Sequence, residues 1–311
     1  MATTWDLTGK VVLITGAARG IGAEAARRLN AKGCKVSLVG LEPERLAAVA
    51  ESIGPNAAWF EADVRDREAL ERAVDGTVER FGGIDVVIAN AGIATVGAVE
   101  ALDPEDWERV IEVNLLGVYR TVHTALPHVV ERKGYILNIA SLAAALHPPM
   151  MANYTAAKAG VEAFADSLRV ELSIHDVAVG CAYFSFIDTD MVSQAFQHPV
   201  IQDGMHEDLG PLGGVAPLAD VGTAIARGVE RRSRWVTVPK WVAPLLVARG
   251  ALQPVIEWGT KQRAEFKERI QQLNTDPRTR LAAKREGSAP EQAVILPDSQ
   301  NGASAEAKTS S

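Results

Sequence analysis

The chain has 311 residues, 47% of them hydrophobic, enough for one large α/β domain or two ordinary ones around a substantial core. A net charge of −7 and an isoelectric point near 5.5 supply no basic field for a polyphosphate backbone, so nucleic acid is excluded as an expected partner and small neutral or lipophilic ligands stay open. Cys34 and Cys181 each sit in an apolar strand-like run and read as buried free thiols, and no basic n-region precedes an apolar stretch at the N-terminus, so the expected location is the cytoplasm.

In chain order, short apolar runs alternate with longer helical patterns: a strand over 11–15, a helix over 21–31, a strand over 35–39, a helix over 44–52, a strand over 57–61, a helix over 67–81 and a strand over 84–89. Runs such as Val11-Val-Leu-Ile and Val86-Val-Ile-Ala are apolar on both faces, as a parallel sheet covered by helices on each side requires. The rhythm continues with one long helix over 104–130, a strand over 135–139, a helix over 153–174, a strand over 177–183 and a last strand over 235–238. It predicts an α/β fold with a doubly wound parallel sheet in three layers, occupying residues 1–240. Residues 190–217, rich in Gly, Pro and His without periodicity, read as a mobile loop over a ligand site.

Beyond the last strand, residues 241–258 are strongly apolar but interrupted by Pro244, Arg249, Pro254 and Glu257, which makes a poor membrane span. This extension, continued by a charged helix to residue 273, has two readings: an extra helix that completes the core or a subunit interface, or an apolar lid or membrane-surface contact delivering a greasy substrate. Residues 274–311, rich in Ala, Ser, Glu, Gln, Lys and Pro, read as a disordered tail.

The chemistry-bearing motifs fall at strand ends. Thr15-Gly-Ala-Ala-Arg-Gly-Ile-Gly22 lies between the first strand and the first helix, where glycines let helix N-terminal amides approach a pyrophosphate. Its G-x-x-x-G-x-G spacing differs from the commoner G-x-G-x-x-G fingerprint. Asp63-Val64 and Ala89-Asn-Ala-Gly92 follow the third and fourth strands, at the carboxyl edge where open sheets bind ligands. Tyr154 and Lys158 stand at i and i+4 of a helix, so an ammonium and a phenol share a face and the charge can lower the phenol's pKa. Alone, that pair is most often a half-exposed surface contact. The six histidines form no ligand-spaced cluster near these motifs, so no metal is expected.

Taken together and in this order, with Asn114 in Val-Asn-Leu-Leu-Gly and Ser141 thirteen residues before Tyr154, the motifs resemble the short-chain dehydrogenase/reductase family over residues 7–238. The resemblance implies a nicotinamide dinucleotide held by Gly16, Arg19, Gly20, Ile21 and Gly22 at the pyrophosphate, Asp63 and Val64 at the adenine, and Asn90 and Gly92 at the sheet and ribose. It implies Tyr154 as the acid/base, Lys158 lowering its pKa and holding the ribose, Ser141 bonding the substrate oxygen, and Asn114 positioning a water. After the sixth strand Phe184-Ser185 stands where the family places Pro-Gly, while Ile187 and Thr189 remain to hold the carboxamide.

Cofactor choice turns on the end of the second strand. Val39-Gly40-Leu41 supplies no acid for a ribose diol, and Arg19 could pair with a 2′-phosphate, so the reading favours NADP(H) over NAD; Glu42 could instead serve the diol. Expected substrate contacts are Ser141, Leu142, His147, Met151, Tyr154, Phe184 and Met191, a largely apolar set suited to a secondary alcohol or ketone on a steroid, terpenoid or long aliphatic skeleton. His147 reads either as a wall of that pocket or as a solvated loop histidine. The alternatives are a 3-oxoacyl-thioester ketoreductase, with Arg231, Arg232 and Arg234 as a basic patch at the pocket mouth, and a non-catalytic redox-sensing binding protein. The resemblance also implies a homodimer or homotetramer.

Overall fold

The computed structural model describes residues 4–189 and 214–262, with 268 and 271. Seven parallel strands form one sheet in the order β3-β2-β1-β4-β5-β6-β7: β1 Val11–Thr15, β2 Lys35–Gly40, β3 Ala57–Glu61, β4 Val86–Ala89, β5 Tyr135–Ile139, β6 Ala178–Phe184 and β7 Trp235–Val238. Alternating side chains send Val12, Ile14, Val36 and Leu38 to one face, under α1 (Gly20–Asn30), α2 (Pro43–Ile53) and α8 (Leu218–Glu230). Leu13, Val39, Val87 and Ile136 go to the other, under α3 (Arg67–Phe81), α5 (Gly117–Glu131) and α7 (Ala152–Glu171). Two apolar clusters therefore sandwich a sheet that is buried on both sides.

The chain runs outward from β1 through β2 to β3, then returns to pair β4 with the other side of β1. Strand order reverses there, and the crevice outside the carboxyl ends of β1 and β4 is where open sheets of this kind bind ligands. Both motif-bearing turns open into it.

The expected helix over 104–130 is broken by a π turn, Glu112–Leu116, between α4 (Pro104–Ile111) and α5. A one-residue widening of this kind leaves the spacing of apolar residues nearly intact, which is why periodicity does not reveal it. The extension forms helix α9, Val242–Gln262, with Val242 and Leu246 buried in the second cluster beside the short helix α6 (Ala143–Leu146). Arg249 Nη1 donates to both oxygens of Glu162 on α7, at 2.7 and 2.6 Å, and Tyr183 on β6 donates to the same carboxylate at 2.9 Å. Val242 and Leu246 of α9 are thus core, while Val247, Val255 and Trp258 of the same helix are exposed. Among the described residues no helix is long and apolar enough to cross a membrane. The loop at 190–213 and the tail lie outside the described residues.

Candidate active site

The glycine loop is stitched to the neighbouring strand end. Asn90 donates its backbone N–H to Thr15 Oγ1 (3.1 Å) and its Nδ2 to the carbonyls of Thr15 (2.9 Å) and Gly16 (3.1 Å). Packing leaves no room for side chains: a Cβ on Gly16 would fall 2.8 Å from Ala91 Cα, and one on Gly22 would fall 2.4 Å from the Gly16 carbonyl oxygen. Gly20 differs. Its φ of +55° suits glycine, and a Cβ there would meet only Thr189 Cγ2, at 3.8 Å. That open space above the N-terminus of α1, whose first turn carries no acid, fits a pyrophosphate held by Gly20, Ile21 and Gly22 amides. Thr189 faces it from the segment that follows β6, with Ile187 buried nearby and bridged to Ala216.

At the adenosine end, a Cβ on Gly40 would make only ordinary contact with Leu46, at 3.6 Å. Glu42 lies beyond it, 3.3 Å from Arg19 Nε and 3.6 Å from Arg45 Nη1, so two guanidiniums share one carboxylate. Asp63 pairs with Arg65 at 2.6 Å; burial pushes its carboxyl up, but the Arg65 hydrogen bonds prevail and hold it below the ordinary value. Val64 is buried against Gly117.

The four candidate catalytic residues come from three separate segments of the carboxyl edge. Lys158 is buried and donates to the Ile139 carbonyl at 2.8 Å, with Nζ 5.7 Å from the Tyr154 ring centroid. Ser141, just past β5, lies beside the Tyr154 hydroxyl, and its Oγ accepts from the Ala143 amide at 3.1 Å. Asn114 sits on the π turn, fully buried, its Oδ1 accepting from Ile93 N–H (2.8 Å) and its Nδ2 donating to Ile93 O (2.7 Å). A Cβ on Gly92 would lie 3.3 Å from Asn114 Oδ1 and 3.5 Å from Lys158 Nζ, so these two residues meet over that glycine. The electrostatics differ from expectation. Burial pulls the Lys158 ammonium down to about 8 and pushes the Tyr154 phenol above its ordinary value, with Ser141 acting in the opposite sense. A charged lysine beside the phenol lowers its pKa, but here the loss of solvent around both groups is larger.

On the substrate side, Leu142 and Met151 are half-buried, just before α6 and just before α7 respectively. His147 is exposed in the left-handed region, with its Nε2 3.1 Å from the Ala144 carbonyl of its own helix. Phe184 is packed in the first cluster with Ile139 and Ile187, so its ring serves the core. Ser185 follows without a positive φ, so the turn forms there with no need for the glycine that Ser185 replaces. Met191 lies outside the described residues. Arg231, Arg232 and Arg234 precede β7, and Arg232 donates to the Lys133, Gly134 and Asp176 carbonyls that precede β5 and β6. They occupy the amino edge of the sheet, opposite the crevice, and form no patch at its mouth.

The sequence reading missed the buried pair Asn153–Thr95 and the Glu162–Arg249 tie. Each is a polar residue placed on the buried face of its segment, and that placement is the one signal available without coordinates.

The family model for short chain dehydrogenases matches residues 10–199. The chain is 32% identical over 266 residues to 11-beta-hydroxysteroid dehydrogenase 1A of Arabidopsis thaliana, covering 82% of this chain and 76% of that protein. It is 33% identical over 238 residues to 3beta-hydroxysteroid dehydrogenase 1 of Eggerthella lenta, covering 75% and 91%. Among solved structures, a 3-ketoacyl-(acyl-carrier-protein) reductase from Brucella melitensis complexed with NADH superposes with a TM-score of 0.67 at 29% identity, covering 75% of this chain and 97% of that one. The chain belongs to the short-chain dehydrogenase/reductase family and is a nicotinamide-dependent oxidoreductase.

Proposed function

We propose that the protein interconverts a secondary alcohol and its ketone on a lipophilic skeleton, with NADP(H) as the preferred cofactor. The observation that carries the reaction is the meeting of half-buried Tyr154 and Ser141 with buried Lys158 at the strand ends beside the glycine cradle. A bound nicotinamide supplies the hydride chemistry. The Ser141 hydroxyl donates to the substrate oxygen, and the Tyr154 phenol gives that oxygen a proton in reduction or takes it in oxidation. Lys158 holds positive charge near the phenol and the cofactor ribose, and Asn114 orients a water toward it. Arg19 and Arg45, both on Glu42 at the adenosine end, are the guanidiniums that would meet a 2′-phosphate.

For the substrate, the support is the two hydroxysteroid dehydrogenases that resemble most of the chain, together with the apolar segment 142–151 backed by α9. The exposed Val247, Val255 and Trp258 suit a peripheral contact through which a greasy substrate arrives. A 3-oxoacyl-thioester reduction is the second reading, favoured by the Brucella structure. Initial rates with 3-oxo- and 11-oxosteroids against an acetoacetyl thioester, each with NADPH and NADH, test the proposal: a steroid rate dominant with NADPH is expected, and a dominant thioester rate or strong NADH preference contradicts it. Exposed Tyr119 and Val170 on α5 and α7 support assembly into a homodimer or homotetramer, which sedimentation reads directly.

A further inference from the structure

Two polar side chains outside the candidate catalytic set are as deeply buried as the apolar core. Asn153 is fully buried and Thr95 nearly so, and Asn153 Nδ2 donates to Thr95 Oγ1 at 2.6 Å across 58 residues of sequence. Burying a carboxamide is costly unless its groups are paired, and an apolar residue would fill the same space without that cost.

What the pair holds is informative. Tyr154 is the third residue of α7, in the first turn, where backbone N–H groups have no acceptor within the helix. Asn153 Oδ1 accepts the Tyr154 N–H at 2.7 Å. One carboxamide thus fixes the backbone of the candidate acid/base and, through its other end, ties it to Thr95. Thr95 belongs to a short segment after β4 that is anchored on both sides. Upstream, both backbone groups of Ile93 are bonded to the Asn114 carboxamide; downstream, the Gly97 N–H donates to the Met150 carbonyl at 2.8 Å, at the entry to α7. A hydrogen-bonded belt therefore runs Asn114–Ile93, then Thr95–Asn153–Tyr154.

We propose that Asn153 and Thr95 are positioning residues: they set the location of Tyr154 relative to Asn114 and Gly92, so that the acid/base and the water-holding residue move as one unit. This rests on the assignment of Tyr154 above. Losing the belt frees the first turn of α7 without touching the glycine loop or Ser141. A displacement of about 1 Å at a reacting group costs on the order of 100-fold in rate, whereas cofactor contacts elsewhere are untouched.

The test uses the full-length chain, NADPH, and the fastest of a 3-oxosteroid, an 11-oxosteroid and an acetoacetyl thioester. Asn153→Ala and Thr95→Val should each lower kcat about 10- to 100-fold with NADPH affinity unchanged. Thr95→Ser, which keeps the acceptor, should restore near-normal kcat. The double variant should be no worse than the worse single, since both remove one link. Amide hydrogen exchange at Tyr154 should quicken in Asn153→Ala. Where Asn153→Ala fails to fold, the Thr95→Val and Thr95→Ser comparison carries the test. Normal kcat in folded Asn153→Ala, or equal losses in Thr95→Val and Thr95→Ser, overturns the proposal. Tyr154→Phe separates the two levels: if it is inactive while Asn153→Ala is normal, only the positioning role fails; if Tyr154→Phe is fully active, the functional assignment itself fails.

Discussion

Gly22→Ala probes the glycine cradle most sharply. The added Cβ would stand 2.4 Å from the Gly16 carbonyl oxygen, 2.8 Å from Asn90 Nδ2 and 2.9 Å from Ala17 Cα, where ordinary contact begins near 3.4 Å. Two of the three obstacles are backbone, and the third is the amide that stitches the loop to β1 and β4, so a rotamer change cannot relieve the clash. The loop itself has to shift by roughly an ångström, and overpacking of that size costs about 1 to 3 kcal/mol. If nucleotide binding requires the unshifted loop, the strain that the shift relieves returns on binding and affinity falls about 5- to 150-fold, since about 1.4 kcal/mol is tenfold. Fluorescence titration with NADPH, run beside thermal unfolding, reads both consequences. Gly250→Ala in α9, where a Cβ meets nothing within 4 Å, is the control: it should leave affinity unchanged and, alanine being the better helix former, not lower the melting temperature. An unaltered NADPH affinity and melting temperature in Gly22→Ala would refute the reasoning.

Two other perturbations have defined outcomes. Gly40→Asp has room beside Leu46 and sets a carboxylate at the end of β2; the ratio of NADPH to NADH specificity should fall at least about tenfold, as expected for charge repulsion of roughly 1.4 kcal/mol, and an unchanged ratio contradicts the placement of the adenosine ribose. Lys158 titrates near 10.5 when unfolded and at about 8 when buried, so from pH 8 upward the unfolded chain holds a proton that the folded chain has lost, and this group makes stability rise with pH. The buried thiols of Cys34 and Cys181, raised from 9.0 to about 12, act in the opposite sense above pH 9. The difference in unfolding free energy between wild type and Lys158→Met, measured without cofactor, should therefore rise between pH 8 and 9; a flat difference contradicts the burial of the ammonium.

The fold was legible because its signals are local. Asp66 caps α3 by accepting from the Ala69 amide and Gly82 ends it at a φ of +85°, so the boundaries at Arg67 and Phe81 could be read directly. Strand ends carried the glycine loop, Asn90 and Ser141 to one edge by the logic of a parallel sheet. What stayed hidden depends on three dimensions. The π turn at Asn114 barely disturbs apolar spacing, Phe184 looks like a pocket residue until strand alternation buries it beside Ile139, and the Arg231 to Arg234 cluster falls at the wrong edge once β7 is placed. The raised Tyr154 phenol was equally invisible, because the sequence displays the neighbouring charge but not the absence of water.

Tyr154→Phe tests the central claim most directly, because it removes one hydroxyl and leaves the aromatic ring, Lys158 and the glycine cradle in place. General acid/base catalysis contributes about 10²- to 10⁴-fold, so kcat for the preferred ketone should fall by that factor while NADPH binds as it does to the wild type. Turnover close to the wild-type rate in that variant would contradict the account.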